Sequence, residues 1–137
     1  MYRRITPSDM DALWELQKAY KEAIAEDIPT EADKEKLKAA IERDRIRFFG
    51  AWDGNRLIGC CSVTLGFSTF DYAPSGVFED FYIRPECRHK SIAKELVRYA
   101  YRESGVSSLT VGCADCDVDM YRSLGFGLRL GNLLAWG

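Results

Sequence analysis

A chain of 137 residues, 47% hydrophobic and 29% charged, carries enough apolar material for one folded core and too little bias for a disordered or fibrous protein. Its net charge of -2 argues against nonspecific nucleic-acid binding as the main task, because phosphate affinity needs a basic face. Residues 1–7 lack the apolar core of a signal peptide, and no apolar run approaches the roughly 18 residues of a membrane span, so a cytoplasmic protein with no membrane contact is expected.

In chain order, residues 2–5 read as a short first strand, and Thr6-Pro7-Ser8-Asp9 supplies an N-cap, a proline at the first helical position and an acid two residues later. The first helix follows, its apolar stripe formed by Leu13, Leu16, Tyr20 and Ile24 alongside Ala12, Trp14 and Ala23. Ile28-Pro29-Thr30 interrupts the pattern, and a second helix is predicted over residues 31–43 with Leu37, Ala40 and Ile41 inward. Strands are predicted over 47–52 and 56–65, joined at Asp53-Gly54-Asn55, a strong hairpin signal. A loop over 66–76 leads to a strand at 77–83, rich in aromatic and β-branched residues and ended by Arg84-Pro85-Glu86, since proline cannot continue a ladder.

Beyond that strand, Ile92, Leu96 and Ala100 recur at four-residue spacing with Ala93 and Val97 beside them, while Lys94, Glu95, Arg98 and Arg102 take the other side. A helix therefore starts near Ser91. A strand near 108–113, a short helix near 117–124 and a final hairpin over 126–136, turning at Gly131-Asn132, complete the chain. The order β-α-α-β-β-β-α-β-α-β-β has no linker or repeat and predicts one α/β (α+β) domain over residues 1–137, a mixed, mostly antiparallel sheet flanked by helices.

The turn before the third helix holds the sharpest chemical signal. Arg84, Arg88, Lys90 and Lys94 cluster with only Glu86 among them, which gives an acidic protein one local anion site. The first N–H groups of the following helix have no intrahelical partner and carry the positive end of its dipole, so a phosphate there gains hydrogen bonds and favourable field together.

Five cysteines invite a metal or redox reading, and the sequence weighs against it. Cys60 and Cys61 are adjacent on a strand and point to opposite faces. Cys113-Ala114-Asp115-Cys116 has the spacing of half a zinc site, but such a site needs four ligands and the only histidine is His89, in the basic turn. Reduced, structural cysteines and no metal are expected.

Taken in order, Glu79-Asp80-Phe81-Tyr82-Ile83, Arg88-x-x-Ser91-x-Ala93 and Tyr121-Arg122-Ser123-Leu124-Gly125-Phe126 resemble the GNAT family of N-acetyltransferases across nearly the whole chain. In that family an Arg/Gln-x-x-Gly-x-Gly/Ala turn cradles the pyrophosphate of acetyl-CoA, and a Tyr-x-x-x-Gly-Phe motif places a tyrosine near the thioester sulfur. The resemblance implies cofactor contacts from Arg88, His89, Lys90, Ser91, Ile92 and Ala93, and from the backbone of Phe81, Tyr82 and Ile83. Ser91 stands where the family usually has glycine. A Cβ there could hold the phosphate off, unless φ is negative and the hydroxyl itself bonds a phosphate oxygen.

Acetyl transfer to an amine needs a proton acceptor, because an ammonium cannot attack a thioester. The resemblance makes Glu79 the leading candidate, because in that family this strand runs beside the cofactor's pantetheine arm and often carries a catalytic glutamate near this position. Asp80 faces the other way on a regular strand, a bulge would change that, and a water chain stays open. Tyr121 suits proton donation to the departing thiolate, since a phenol with a pKa near ~10 stays protonated at pH 7. The resemblance puts the acceptor cleft at the first two helices and the loop before the fourth strand, where Tyr20, Phe67, Phe70 and Tyr72 offer apolar surface and Glu26, Asp27 and Asp71 offer acids, so Tyr20, Phe70 and Tyr72 are the expected substrate contacts. Such a rim favours a small cationic amine. The partners expected are thus acetyl-CoA and an amine acceptor, with a homodimer left open; the alternative is a CoA-binding sensor or interaction module of the same fold with weak or no catalysis.

Overall fold

The computed structural model describes residues 1–88 and 91–137. Its elements are β1 (Tyr2–Ile5), α1 (Met10–Ala23), α2 (Glu31–Glu42), β2 (Ile46–Asp53), β3 (Arg56–Ser68), β4 (Ala73–Ile83), α3 (Ile92–Ser104), β5 (Ser108–Thr110) and α4 (Val118–Leu124). Local chemistry sets the helix starts. The Asp33 N–H donates to the Thr30 hydroxyl at 3.2 Å while the Thr30 N–H donates to the Asp33 carboxylate at 2.9 Å, a capping box that opens α2.

The five strands lie in the order β1-β2-β3-β4-β5, antiparallel until β5, which runs parallel to β4 after the crossover through α3. Alternation along the strands divides the core. On one face Ile5, Phe48, Trp52 and Cys60 pack with Leu13, Trp14 and Leu16 of α1 and Ile41 of α2. On the other, Phe49, Cys61, Val63 and Phe78 pack with Leu96, Val97 and Ala100 of α3, and Tyr121, Leu124 and Phe126 close over them. Cys60 and Cys61 thus face opposite layers, as their adjacency on a strand requires. Among the described residues, no helix is long and apolar enough to cross a membrane.

Two expectations are corrected here. The loop expected over 66–76 is mostly strand: Gly66 pairs with Ser75, Phe67 with Pro74 and Ser68 with Ala73, leaving only a tip at residues 69–72. Gly76, which reads as a loop glycine, is a close-approach position, because a Cβ there would meet Val63 Cγ1 at 2.5 Å. The C-terminal hairpin expected over 126–136 does not form, and Leu128, Leu130, Leu133, Leu134 and Trp136 are exposed. Gly131 adopts φ 103°, so the turn signal is honoured locally, but β5 ends at Thr110 instead of 113 and offers only a short edge to extend. A two-stranded hairpin without a sheet or face to join is marginal in water.

Candidate active site at the β4 bulge

The strand β4 is irregular where the chemistry was expected. Its register against β3 runs Val63↔Phe78 and Ser62↔Glu79, then resumes at Cys60↔Tyr82, so Asp80 and Phe81 together oppose Cys61. That extra residue is a β-bulge, and Asp80 absorbs it at φ 53°, a conformation that aspartate tolerates better than most residues. The bulge brings the Asp80 carboxylate to the α1 side of the sheet. The Ser62 hydroxyl, fully buried, donates to Asp80 Oδ2 at 2.6 Å, and Gln17 Nε2 of α1 approaches Oδ1 at 3.5 Å. The Cys60 thiol lies 3.5 Å from the Asp80 carbonyl oxygen, positioned to donate to it. Glu79, its neighbour in sequence, is solvent-exposed.

Two tyrosines converge on this point from different helices. Tyr20 of α1 lies 5.9 Å from Tyr82 between ring centroids, and burial, then the negative charges of Asp80 and Glu79, push its phenol above the ordinary value. Tyr121 of α4 packs against Phe78, Phe81 and Phe126 at 6.5, 6.4 and 5.9 Å. Its phenol is also pushed up, first by burial and then by Tyr20, Asp117 and Cys113, so it holds its proton through neutral pH.

The other flank of β4 is open. Pairing with β5 covers only Ser75↔Ser108, Gly76↔Leu109 and Val77↔Thr110, and beyond Val77 the two strands no longer form a ladder. Between Phe78 and Tyr82 the backbone therefore has no β5 ladder on that side, which leaves an edge that an amide-bearing arm could bond. At the end of β4, Arg88 Nε donates to the Ile83 carbonyl at 2.9 Å and its guanidinium stands 5.6 Å from the Tyr82 ring. Ser91 is the N-cap of α3 and makes no side-chain cap hydrogen bond, which leaves the first N–H groups of that helix available to an anion. Ile92 and Ala93 pack beneath with Ala51, Ile58, Ile83 and Cys87, fixing the helix start against the sheet. A strand edge without a ladder beyond Val77, followed by an uncapped helix start, offers the backbone and dipole groups that a pantetheine diphosphate would need.

Ser91 has φ 61° and ψ 9°, the left-handed conformation that glycine adopts freely, so the negative φ that would have made the serine innocuous is absent. His89 and Lys90 lie outside the described residues. Phe70 and Tyr72 sit at the β3–β4 tip, 101% and 75% exposed, where Asp71 accepts a hydrogen bond from Ser107. At about 3.3 Å per residue, that tip is over 20 Å along β4 from Asp80, so the structure does not bring Phe70 or Tyr72 together with Tyr20. The sequence reading missed Gln17 and Ser62. Gln17 left a trace, since it is a polar residue four positions after Leu13 and three before Tyr20, on the helix face that carries the apolar stripe.

A family model of acetyltransferases, the GNAT family, matches residues 10–126. No curated protein sequence matches the chain. Among solved structures, a probable acetyltransferase is similar at 21% identity with a TM-score of 0.84, the match covering 100% of this chain and 99% of the other. An aminoglycoside acetyltransferase from an uncultured soil metagenomic sample, in complex with sisomicin, matches at 16% identity and a TM-score of 0.83, covering 100% and 94%. A predicted acetyltransferase from Clostridium acetobutylicum, solved with acetyl-CoA, matches at 16% and 0.76, covering 100% and 95%. These likenesses establish the shared fold, and the family match over residues 10–126 establishes that this chain belongs to the GNAT family of acetyltransferases.

Proposed function

We propose that this protein is an N-acetyltransferase that moves an acetyl group from acetyl-CoA to a small primary amine by direct attack in a ternary complex. The observation that carries the reading is the split of the sheet beside the bulge: the β4–β5 ladder stops at Val77, and the acids and tyrosines gather two to five residues further along β4. Bound acetyl-CoA would supply the acetyl thioester. Arg88, Ser91, Ile92 and Ala93, with His89 and Lys90 from the sequence, would hold its diphosphate at the start of α3, and the backbone of Phe81, Tyr82 and Ile83 would pair with its arm and bond the thioester oxygen.

Glu79, exposed beside Asp80, accepts the proton that the ammonium must lose, directly or through water. Tyr121 gives its proton to the departing thiolate, a role favoured by burial that keeps the phenol protonated. Tyr20 lines the acceptor side from α1. The test is a thermal shift with CoA followed by a panel of amine acceptors. A stabilised protein and an acetylated amine are expected, since a ligand specific to the native state raises its stability. The positive φ of Ser91 favours one alternative, a CoA-binding sensor with weak catalysis; it would show the thermal shift and no acetylated product.

A further inference from the structure

The five cysteines separate into two sets. Cys60, Cys61 and Cys87 are buried, and burial pushes the Cys60 and Cys61 thiols up, which keeps them neutral and inert. Cys113 and Cys116 are exposed and belong to no hydrophobic cluster, so the expected structural role does not extend to them. Accessible thiols are the ones that react. The pair supplies two of the four ligands of a structural zinc site, and among the described residues no group of three His, Cys, Asp or Glu is placed to hold a metal. Two thiols at this spacing are a donor set for a disulfide.

Their place in the fold couples the pair to the candidate site. The parallel register Ser75↔Ser108, Gly76↔Leu109 and Val77↔Thr110, carried three residues past the end of the ladder, sets Cys113 level with Asp80 across the unpaired flank. Cys113 is also close enough to Tyr121 for a charge on its sulfur to act on that phenol. From Cys113 the chain runs through an extended Ala114, at φ −69° and ψ 155°, into the turn Asp115–Asp117, where the Asp117 N–H donates to the Ala114 carbonyl at 2.9 Å. The next residue, Val118, begins α4. Cys116 therefore sits in the turn that launches the helix carrying Tyr121.

A disulfide needs its two Cα atoms within about 6.8 Å. The extended Ala114 carries the chain away from Cys113, whereas a helical Ala114 makes Cys113 and Cys116 the first and fourth residues of one turn, side by side. Alanine adopts either form. The flanking residues leave room, since a Cβ on Gly112 would only touch Leu133 at 3.5 Å and the Asp115 side chain is fully exposed. Closing the bridge thus takes a backbone rotation at Ala114, which swings the turn, and α4 behind it, toward β5.

We propose that Cys113 and Cys116 are a redox-active dithiol, oxidised by a small-molecule disulfide to an intramolecular bridge that moves α4 and displaces Tyr121. One thiolate attacks a sulfur of R–S–S–R, forming a mixed disulfide and expelling R–S⁻, which takes up the proton that the thiol gave up. The second thiolate attacks the protein sulfur of that mixed disulfide and releases the other R–SH. Two protein thiols become one disulfide, and R–S–S–R is reduced to two R–SH. The bridge does not depend on acetyl transfer; its effect on turnover rests on the proposed function, through Tyr121.

The folded full chain is incubated with glutathione disulfide, and the tryptic peptide Glu103–Arg122, which holds both cysteines, is weighed. The expected peptide is lighter by two hydrogen atoms and returns to its starting mass with dithiothreitol, while Cys60, Cys61 and Cys87 keep their free thiols. The Tyr121 ring signals in NMR should move on oxidation and return on reduction. Cys116→Ser should stop at a mixed disulfide on Cys113 and leave those signals in place. An unoxidised pair, a mixed disulfide that never resolves in wild-type protein, or a bridge that leaves the Tyr121 signals unmoved overturns the proposal. In turnover, oxidation should slow wild-type protein about tenfold or more and leave the Cys113→Ser, Cys116→Ser double variant at its reduced rate; equal rates in bridged and reduced wild-type protein overturn the switch. If the bridge forms and Tyr121 moves but the reduced protein acetylates no amine, acetyl transfer fails while the dithiol stands.

Discussion

The two flanks of β4 treat the same strand in opposite ways. Toward β3 it is paired from Ala73 to Ile83 with one interruption, and the interruption is used: the bulge at Asp80 fixes a carboxylate by hydrogen bonds from two other elements. Toward β5 the pairing stops after three residue pairs. On the proposed function, the paired flank would position the side chains that move protons, while the unpaired flank would leave backbone groups for a long, flexible cosubstrate. One strand would thereby serve both halves of the proposed two-substrate reaction, and a change on one flank should disturb only its own half.

The comparison is tested most severely at Tyr121, to which the proposed function gives a part in the chemistry itself. Tyr121→Phe should lower kcat by about 10²–10⁴ with CoA affinity nearly intact, since a general acid contributes on that scale. Its phenol is available below its pKa and lost above it, and because that pKa is raised from 10.0, the donor persists through mildly alkaline pH. Raising pH should therefore not rescue the Tyr121 variant, whereas Glu79→Gln, which blunts the acidic limb of the pH–rate profile, should be partly rescued as more amine arrives deprotonated. Arg88→Glu sharpens the open flank. Losing a charge-assisted phosphate contact costs about 1.5–3 kcal/mol, so CoA affinity should fall roughly 10- to 100-fold and become less salt-dependent, with the acceptor KM unchanged.

Smaller effects test the backbone itself. Gly76→Ala places a Cβ at 2.5 Å from Val63 Cγ1 within the paired region and should cost about 1–3 kcal/mol of stability in chemical denaturation. Ser91→Gly releases a left-handed serine and should stabilise by up to about 1 kcal/mol. Tighter CoA binding in that variant means the Cβ is a steric compromise, and weaker binding means the hydroxyl reaches a phosphate.

Most of the frame could be read from the sequence because its cues were local. The Ile28-Pro29-Thr30 break, the Asp53-Gly54-Asn55 turn and the four-residue spacing of Ile92, Leu96 and Ala100 each fix an element without reference to the rest. The misses depended on distant partners. Gly66 and Gly76 look like loop residues until β3 and β4 come close enough to exclude side chains. Gly131-Asn132 looks like a hairpin turn, but its strands have only a three-residue β5 to extend. At the site, Arg88, Ser91, Glu79 and Tyr121 were legible as motif positions. Ser62 was not, and Gln17 left only its polar place on an apolar helix face, because their meaning comes from a one-residue bulge that turns Asp80 toward them.

The most direct test of the account is formation of an acetylated amine, followed by mass because the exposed Cys113 and Cys116 would react with thiol reagents. Wild-type protein is incubated with acetyl-CoA and a polyamine, an amino sugar or a lysine peptide, beside Tyr121→Phe. The account predicts an acetylated cationic amine whose rate of formation falls about 10²–10⁴ in the variant. No acetylated product from any amine, or equal rates in both proteins where chemistry limits turnover, would contradict it.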